Sequence, residues 1–212
     1  QMELSPPNYR DWKAMSQSFE AMAAFHSLTA NLLGEGPPRR VTGSAVTTDL
    51  LPMFGVAPFM GRLFTPQDGG DGVVLSHGLW REAFAGSNEV IGRSVVLDGI
   101  PRVVTGVMPS DFNFPSRQVQ FWLQMPEVEL SDTDRTNTWF NVVARLRPGV
   151  SVDQAQAELT VVAARLERQY PVENEKLGAT LFRVQDGIAR QARLLLLGLG
   201  GASLCLLLIA CA

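Results

Sequence analysis

The stretch Thr138–Tyr170, TWFNVVARLRPGVSVDQAQAELTVVAARLERQY, decides the fold class. Its first part alternates, with Phe140, Val142, Ala144 and Leu146 falling on one face of a strand, and Pro148-Gly149 ends the run. Ser151 and Gln154 then make a capping box, in which each side chain satisfies an orphan N–H group near the other. Val152, Ala155, Leu159, Val162 and Leu166 recur at helical spacing and predict one apolar stripe on a helix that Pro171 stops. The segment 179–184, ATLFRV, reads as a further short strand. Strand, helix and strand in this order predict a compact α+β unit.

Working outward toward the N-terminus, Ser5-Pro6-Pro7 starts a helix, with Ser5 as the cap and proline in the first turn. Tyr9, Trp12, Phe19 and Met22 recur at near-helical intervals and are expected to pack inward, with a break at Ser16 and Ser18. The segment 34–40, GEGPPRR, is a turn, and the following RVTGSAVTT reads as a strand. Asp49 is expected to cap the short helical turn DLLPMFG. The surface loop TPQDGGDG carries Asp68 and Asp71, but not at the alternate positions of a calcium loop, so no metal site is expected. Ser76 opens the helix SHGLWREAF, which places Trp80 and Phe84 on one face. In VIGRSVVLDGIPRVVTGVM two β-branched runs flank Asp98-Gly99, the pair that favours a tight hairpin. The middle of the chain is therefore β-rich.

Composition sets the class. The 212 residues are 46% hydrophobic and 18% charged, enough apolar side chains for one large core or two small ones. A net charge of −3, without any run of Lys or Arg, gives no field for a polyanion, so nucleic acid is not an expected partner. Both cysteines, Cys205 and Cys211, fall in the last eight residues, so no disulfide framework exists. From Leu194 to Ala212 the sequence LLLLGLGGASLCLLLIACA has no charge and no polar face. As a helix it spans roughly 28 Å, close to the thickness of a bilayer's hydrocarbon core, and predicts a membrane span truncated at its end. The sequence is thus expected to be part of a longer protein. The opening QMELSPP lacks the basic and apolar regions of a signal peptide. Arg183, Arg190 and Arg193 ahead of the span favour a cytoplasmic flank under the positive-inside rule.

Candidate chemistry is sparse. The two histidines, His26 and His77, sit in no acid-base or metal-ligand spacing, and Ser76 and His77 are neighbours whose side chains point apart. Neither a Gly-x-Ser-x-Gly elbow nor a phosphate-binding Gly-rich loop followed by Lys occurs. No catalytic residue, cofactor or metal is expected, and any ATP that drives the protein is bound elsewhere.

The ordered stretches SPPNYRDWKAMSQSFEAMAAF, TTDLLPMFGVAPFMGRLFTPQD, VVLSHGLWREAF, IGRSVVLDGIPRVVTGVMPSDFNFP and VVARLRPGVSVDQAQAEL resemble the MacB-like periplasmic core domain of FtsX-like ABC-transporter permeases. The likeness runs from about Leu4 to Ala212 and is similar in particular to the duplicated orphan permeases of acidobacterial type. The residues that carry it are Trp12, Phe19, Gly55, Gly61, Arg62, Phe64, Ser76, Trp80, Phe84, Gly92, Gly99, Gly106, Pro109, Pro148 and Gly149, all in structural roles. Thr47-Thr48-Asp49-Leu50 departs from the family's more usual Ser-x-x-Phe-Phe.

The resemblance implies a porter-like α+β subdomain from residues 1–60 and 134–190, an inserted β-rich, sabre-like subdomain at 61–133, and a membrane helix at 194–212. It implies a permease domain on the outer side of a bacterial inner membrane, where nucleotide-driven helix motion is relayed to a substrate. The implied partners are a separate ATPase subunit, a second permease subunit in a dimer, the membrane, and a periplasmic adaptor or a peptide or lipoprotein substrate. Gln185, Asp186, Gly187, Arg190 and Arg193 would couple domain to membrane. The competing reading is a membrane-anchored ligand sensor or enzyme with a dispersed site, which a deep polar pocket would favour over an open groove.

Overall fold

The computed structural model describes residues 3–33 and 38–183. Within Gln1–Gly178, one compact unit, the chain forms helix α1 (Pro6–Met15), strands β1 (Phe19–Leu33) and β2 (Arg39–Val46), helix α2 (Leu50–Met53), and strands β3 (Met60–Gly61) and β4 (Gly72–Leu75). Helix α3 (His77–Ala83), strands β5 (Ser94–Leu97), β6 (Ile100–Val107) and β7 (Phe121–Gln124), helix α4 (Glu127–Leu130), strand β8 (Asn141–Leu146) and helix α5 (Val152–Gln169) follow.

Six strands close on themselves. β1 pairs with β2, β2 with β7, β7 with β4, β4 with β6, β6 with β5, and β5 returns to the end of β1. A closed ring leaves no unpaired edge among these strands. All six contribute to the interior: Ala30 and Leu32, Val41, Val73 and Leu75, Val95 and Leu97, Val104 and Val107, and Phe121, with Leu79 and Trp80 of α3 against them. The Asp98-Gly99 hairpin forms as the sequence predicts, both residues taking positive φ, 48° and 81°.

β1 is the strand on which the architecture turns. Its fifteen residues reach beyond the ring, so that Phe25–Leu32 pairs with β2 while Phe19–Phe25 pairs with β8. The sequence reading differs here, since Phe19 and Met22 belong to this strand and not to a continuation of α1. The pattern AMAAF is helix-compatible in isolation, but pairing with β2 and β8 supplies hydrogen bonds that override local propensity. Ser5 and Asp49 are also corrected as caps, because neither side chain accepts a capping bond. Asp49 turns instead to Lys13 at 2.5 Å. The caps at Ser76 and the Ser151–Gln154 box form as expected.

The first and last thirds of the chain meet outside the ring. Leu4 bridges to Phe140, β1 pairs with β8, and α1 touches α5, which buries Ala155, Leu159, Val162, Ala163 and Leu166. Val152 of the expected stripe is only half-buried. β8 does not show a clean alternation, because it lies at the end of the sheet, where Val142, Val143 and Ala144 are all half-buried.

The eight strands, β3 included, are hydrogen-bonded into one sheet. Residues 60 and 61 are both in β3, and the middle strands complete their pairing only through β1 and β2. Residues 179–183 fall in the second unit, Ala179–Ala212, and carry no strand assignment where one was expected. Among the described residues no helix is long and apolar enough to cross a membrane, and the span read at 194–212 lies outside them.

Candidate functional site

Most of the singled-out residues build the scaffold. Trp12, Phe19, Phe64 and Trp80 are buried, and Phe84 packs beside Trp80 against the barrel interior. The Trp80 indole donates to the Ser87 carbonyl at 2.9 Å. Pro109 follows β6 and its carbonyl accepts from Phe112 N–H, while Pro148 and Gly149 turn the chain from β8 into α5. Gly55, Gly92 and Gly99 take positive φ in open turns. Gly61 and Gly106 are brought together, as Cα partners across β3 and β6. Gln185, Asp186, Gly187, Arg190 and Arg193 lie outside the described residues.

Arg62 and Asp68 form a two-bond clamp at 2.8 and 2.6 Å, and Thr65 N–H donates to the same carboxylate at 2.7 Å. The Arg62 guanidinium holds the Asp68 carboxyl well below the usual carboxylate range, against the opposing effect of burial and with help from Thr65. Such a lowered group contributes stability above its unfolded pKa of roughly 3.9, and that stability is lost as pH falls through and below this value. Asp68→Asn should therefore flatten the acid decline in the urea midpoint below about pH 4, with the fold retained at neutral pH. A pH profile unchanged by the substitution would contradict the clamp.

The histidines are dispersed. His26 lies 3.0 Å from Glu129 with its ring edge-on to Trp139, and His77 sits between Phe59 and Trp80. Among the described residues no three His, Cys, Asp or Glu side chains group to hold a metal.

One buried polar arrangement was not selected by the sequence reading. Asn8 in α1 and Asn174, just beyond α5, are both buried and exchange two hydrogen bonds, Asn8 Nδ2 to Asn174 Oδ1 at 2.9 Å and Asn174 Nδ2 to Asn8 Oδ1 at 3.1 Å. Arg135 joins them from the loop after α4, donating to Asn8 Oδ1 at 2.7 Å and to Asp11 at 2.6 Å. Its guanidinium lies 3.5 Å from the centre of the Tyr170 ring at the end of α5, a stacked geometry that a lysine would not reproduce. Arg10 donates to the carbonyls of Leu130 and Asp132, holding the same loop to α1. Thr133, Asp134, Arg135, Thr136, Tyr170 and Glu173 line an open cleft of about 330 Å³ over this junction. Bonds from the Thr136 hydroxyl and N–H keep the Asp134 carboxyl below its ordinary value.

A second tie anchors the other side of α1. Lys13 bonds to Asp49, and the Tyr9 hydroxyl, 3.3 Å from the Lys13 ammonium, donates to the Met22 carbonyl. Burial pushes the Tyr9 phenol up. Lys13 is also raised, since its bond to Asp49 and the nearby Tyr9 outweigh its own burial. The arrangement offers no nucleophile poised beside a base; what it does chemically is fix α1 to the loop at 131–137, to the end of α5 and to the turn before α2.

Residues 2–162 match the family model described as the MacB-like periplasmic core domain. Two curated relatives, the macrolide export ATP-binding/permease proteins MacB of Salmonella paratyphi A (strain ATCC 9150 / SARB42) and Salmonella typhi, are each 31% identical over 127 residues. The matched stretch is 57% of this chain and 19% of each relative, so the likeness spans about a fifth of their length. The fold is shared with the periplasmic region of MacB from Actinobacillus actinomycetemcomitans, at a TM-score of 0.65 and 14% identity over 91% of this chain and 84% of that one. It is shared also with the extracellular domain of the noncanonic ABC-type transporter YknZ from Gram-positive bacteria, at 0.61 and 15% identity over 80% and 85% of the two chains. With the family model covering residues 2–162 of the 212, the chain belongs to the MacB-like periplasmic core domain family, a domain type of ABC-transporter permeases.

Proposed function

We propose that this chain is the extracytoplasmic part of a bacterial inner-membrane permease, and that it passes ATP-driven motion of membrane helices to a substrate on the outer side. The observation that carries this reading is the buried Asn8–Asn174 pair with Arg135 across it. The pair joins the helix that opens the unit to the segment that closes it, 166 positions apart, so a displacement at either end is felt at the other. A buried amide pair of this kind resists separation because each partner, left alone, keeps unmet donors and acceptors. The division into outer thirds and middle is retained as a mechanical one, with α1, β8 and α5 as the driven layer and the ring as the load. No chemistry is required of the domain itself. The hydrolysing ATPase is a separate subunit, a second permease subunit completes the dimer, and a periplasmic adaptor, peptide or lipoprotein is the outer partner.

Asn174→Leu tests this reading. The change keeps the branching and heavy-atom count of the side chain and removes both bonds, at a cost of roughly 1–3 kcal/mol, which opens the junction about tenfold or more often. In the reconstituted permease with its ATPase, substrate movement should fall several-fold while hydrolysis continues. Wild-type movement in a folded Asn174→Leu protein would remove the junction from the mechanism.

A further inference from the structure

Two of the stretches that mark the family, SPPNYRDWKAMSQSFEAMAAF and VVARLRPGVSVDQAQAEL, converge at one point that the junction does not include. Ser16, Gln17 and Ser18 join α1 to β1, and Ser16 is extended, at φ −87° and ψ 134°. Glu158, on α5, accepts from Gln17 N–H through Oε1 at 2.7 Å and from Ser18 N–H through Oε2 at 2.8 Å. Arg147, beyond the end of β8, donates from Nε to the Gln17 carbonyl at 2.8 Å and from its own N–H to the Ser18 carbonyl at 2.9 Å. All four backbone polar groups of Gln17 and Ser18 are therefore held by two side chains and one amide from a single neighbouring segment.

A bend between a helix and a strand leaves its backbone groups without ladder partners, and water would ordinarily satisfy them and let the angle vary. Here a carboxylate gripping two N–H groups makes charge-assisted bonds, which are shorter and stronger than neutral ones. We infer that Glu158 and Arg147 latch the elbow between α1 and β1, so that α1 and α5 act on the sheet as one rigid lever. This rests on the coupling reading and names the positioning residues it needs.

Burial raises the Glu158 carboxyl, but the Ser18 and Gln17 donors outweigh it and hold it below the usual glutamate value. The latch is thus closed at neutral pH and is lost only as pH falls below roughly 4.3, the unfolded value, so protonation does not open it in the ordinary working range. Motion, not acid, is what would release it.

The test uses the full permease reconstituted with its ATPase, in the Glu158→Gln form, which keeps size and one acceptor and so preserves the fold. Hydrogen exchange at Gln17 and Ser18 should speed about tenfold or more while the α5 amides remain protected. Substrate movement should fall about as far as in Asn174→Leu, with hydrolysis retained. Unchanged exchange at the two amides would overturn the latch. Normal movement in Glu158→Gln beside loss in Asn174→Leu would overturn the lever while leaving the coupling reading intact; normal movement in both would overturn coupling itself.

Discussion

Gly106→Ala should cost roughly 3 kcal/mol or more of stability, a large loss for one methyl group. A Cβ at this position would lie 2.4 Å from the Arg62 carbonyl oxygen and 3.2 Å from that of Met60. Both obstacles are backbone, and both are fixed, because Phe59 N–H donates to Val107 and Arg62 N–H to Thr105, each at 2.8 Å. Gly61 shows the same constraint from the facing strand, with φ of +73° and a Cβ position 2.3 Å from the Thr105 oxygen. Relief would require β3 to leave β6, and Phe64 and Val74 in the adjoining core would shift with it. Gly99→Ala is the control: its φ is +81°, but nothing lies within 4 Å, so only the left-handed backbone is penalised, at about 1 kcal/mol. Urea midpoints of the two purified variants should differ accordingly. Equal losses would mean that the approach of β3 to β6 is not what these glycines serve.

The contrast between these two glycines also separates what was legible in the sequence from what was not. Gly99 follows Asp98 between two β-branched runs, so its hairpin could be read from four residues. Gly106 has no local signature, since its role depends on a strand of two residues that pairs from forty-five positions away. The same holds for β1. Helix-compatible residues at Phe19–Phe25 become strand because β8, more than a hundred residues later, supplies the partner edge. Capping at Ser76 and at Ser151–Gln154 was readable because donor and acceptor lie three residues apart. Asn8, Arg135 and Asn174 were not, because an asparagine in a helix or loop gives no sign of a partner so distant. Glu158 and Arg147 stood inside recognised stretches, yet only the elbow at Gln17 and Ser18 explains why those residue types occupy them.

The second large effect concerns the connection between this domain and the apolar run at 194–212. Mechanical coupling requires a stiff path, whereas a domain that merely bound a ligand or catalysed a reaction would tolerate slack. A flexible Gly/Ser stretch of about ten residues behaves as a random coil and transmits little displacement. Placed after Gly187, it should leave the folded unit intact, since residues up to Gly178 form their own compact body. The stability losses expected of Gly106→Ala would therefore be absent, and any functional defect would belong to the connection alone.

The decisive measurement is made on that insertion variant, reconstituted in membranes with its ATPase, with ATP hydrolysis and substrate movement followed in the same vesicles. Hydrolysis should persist near the wild-type rate while movement falls at least about tenfold, because the driven helices no longer pull on α5 and the latched elbow. Movement at the wild-type rate, with the protein intact and the insert present, would contradict mechanical coupling through this domain.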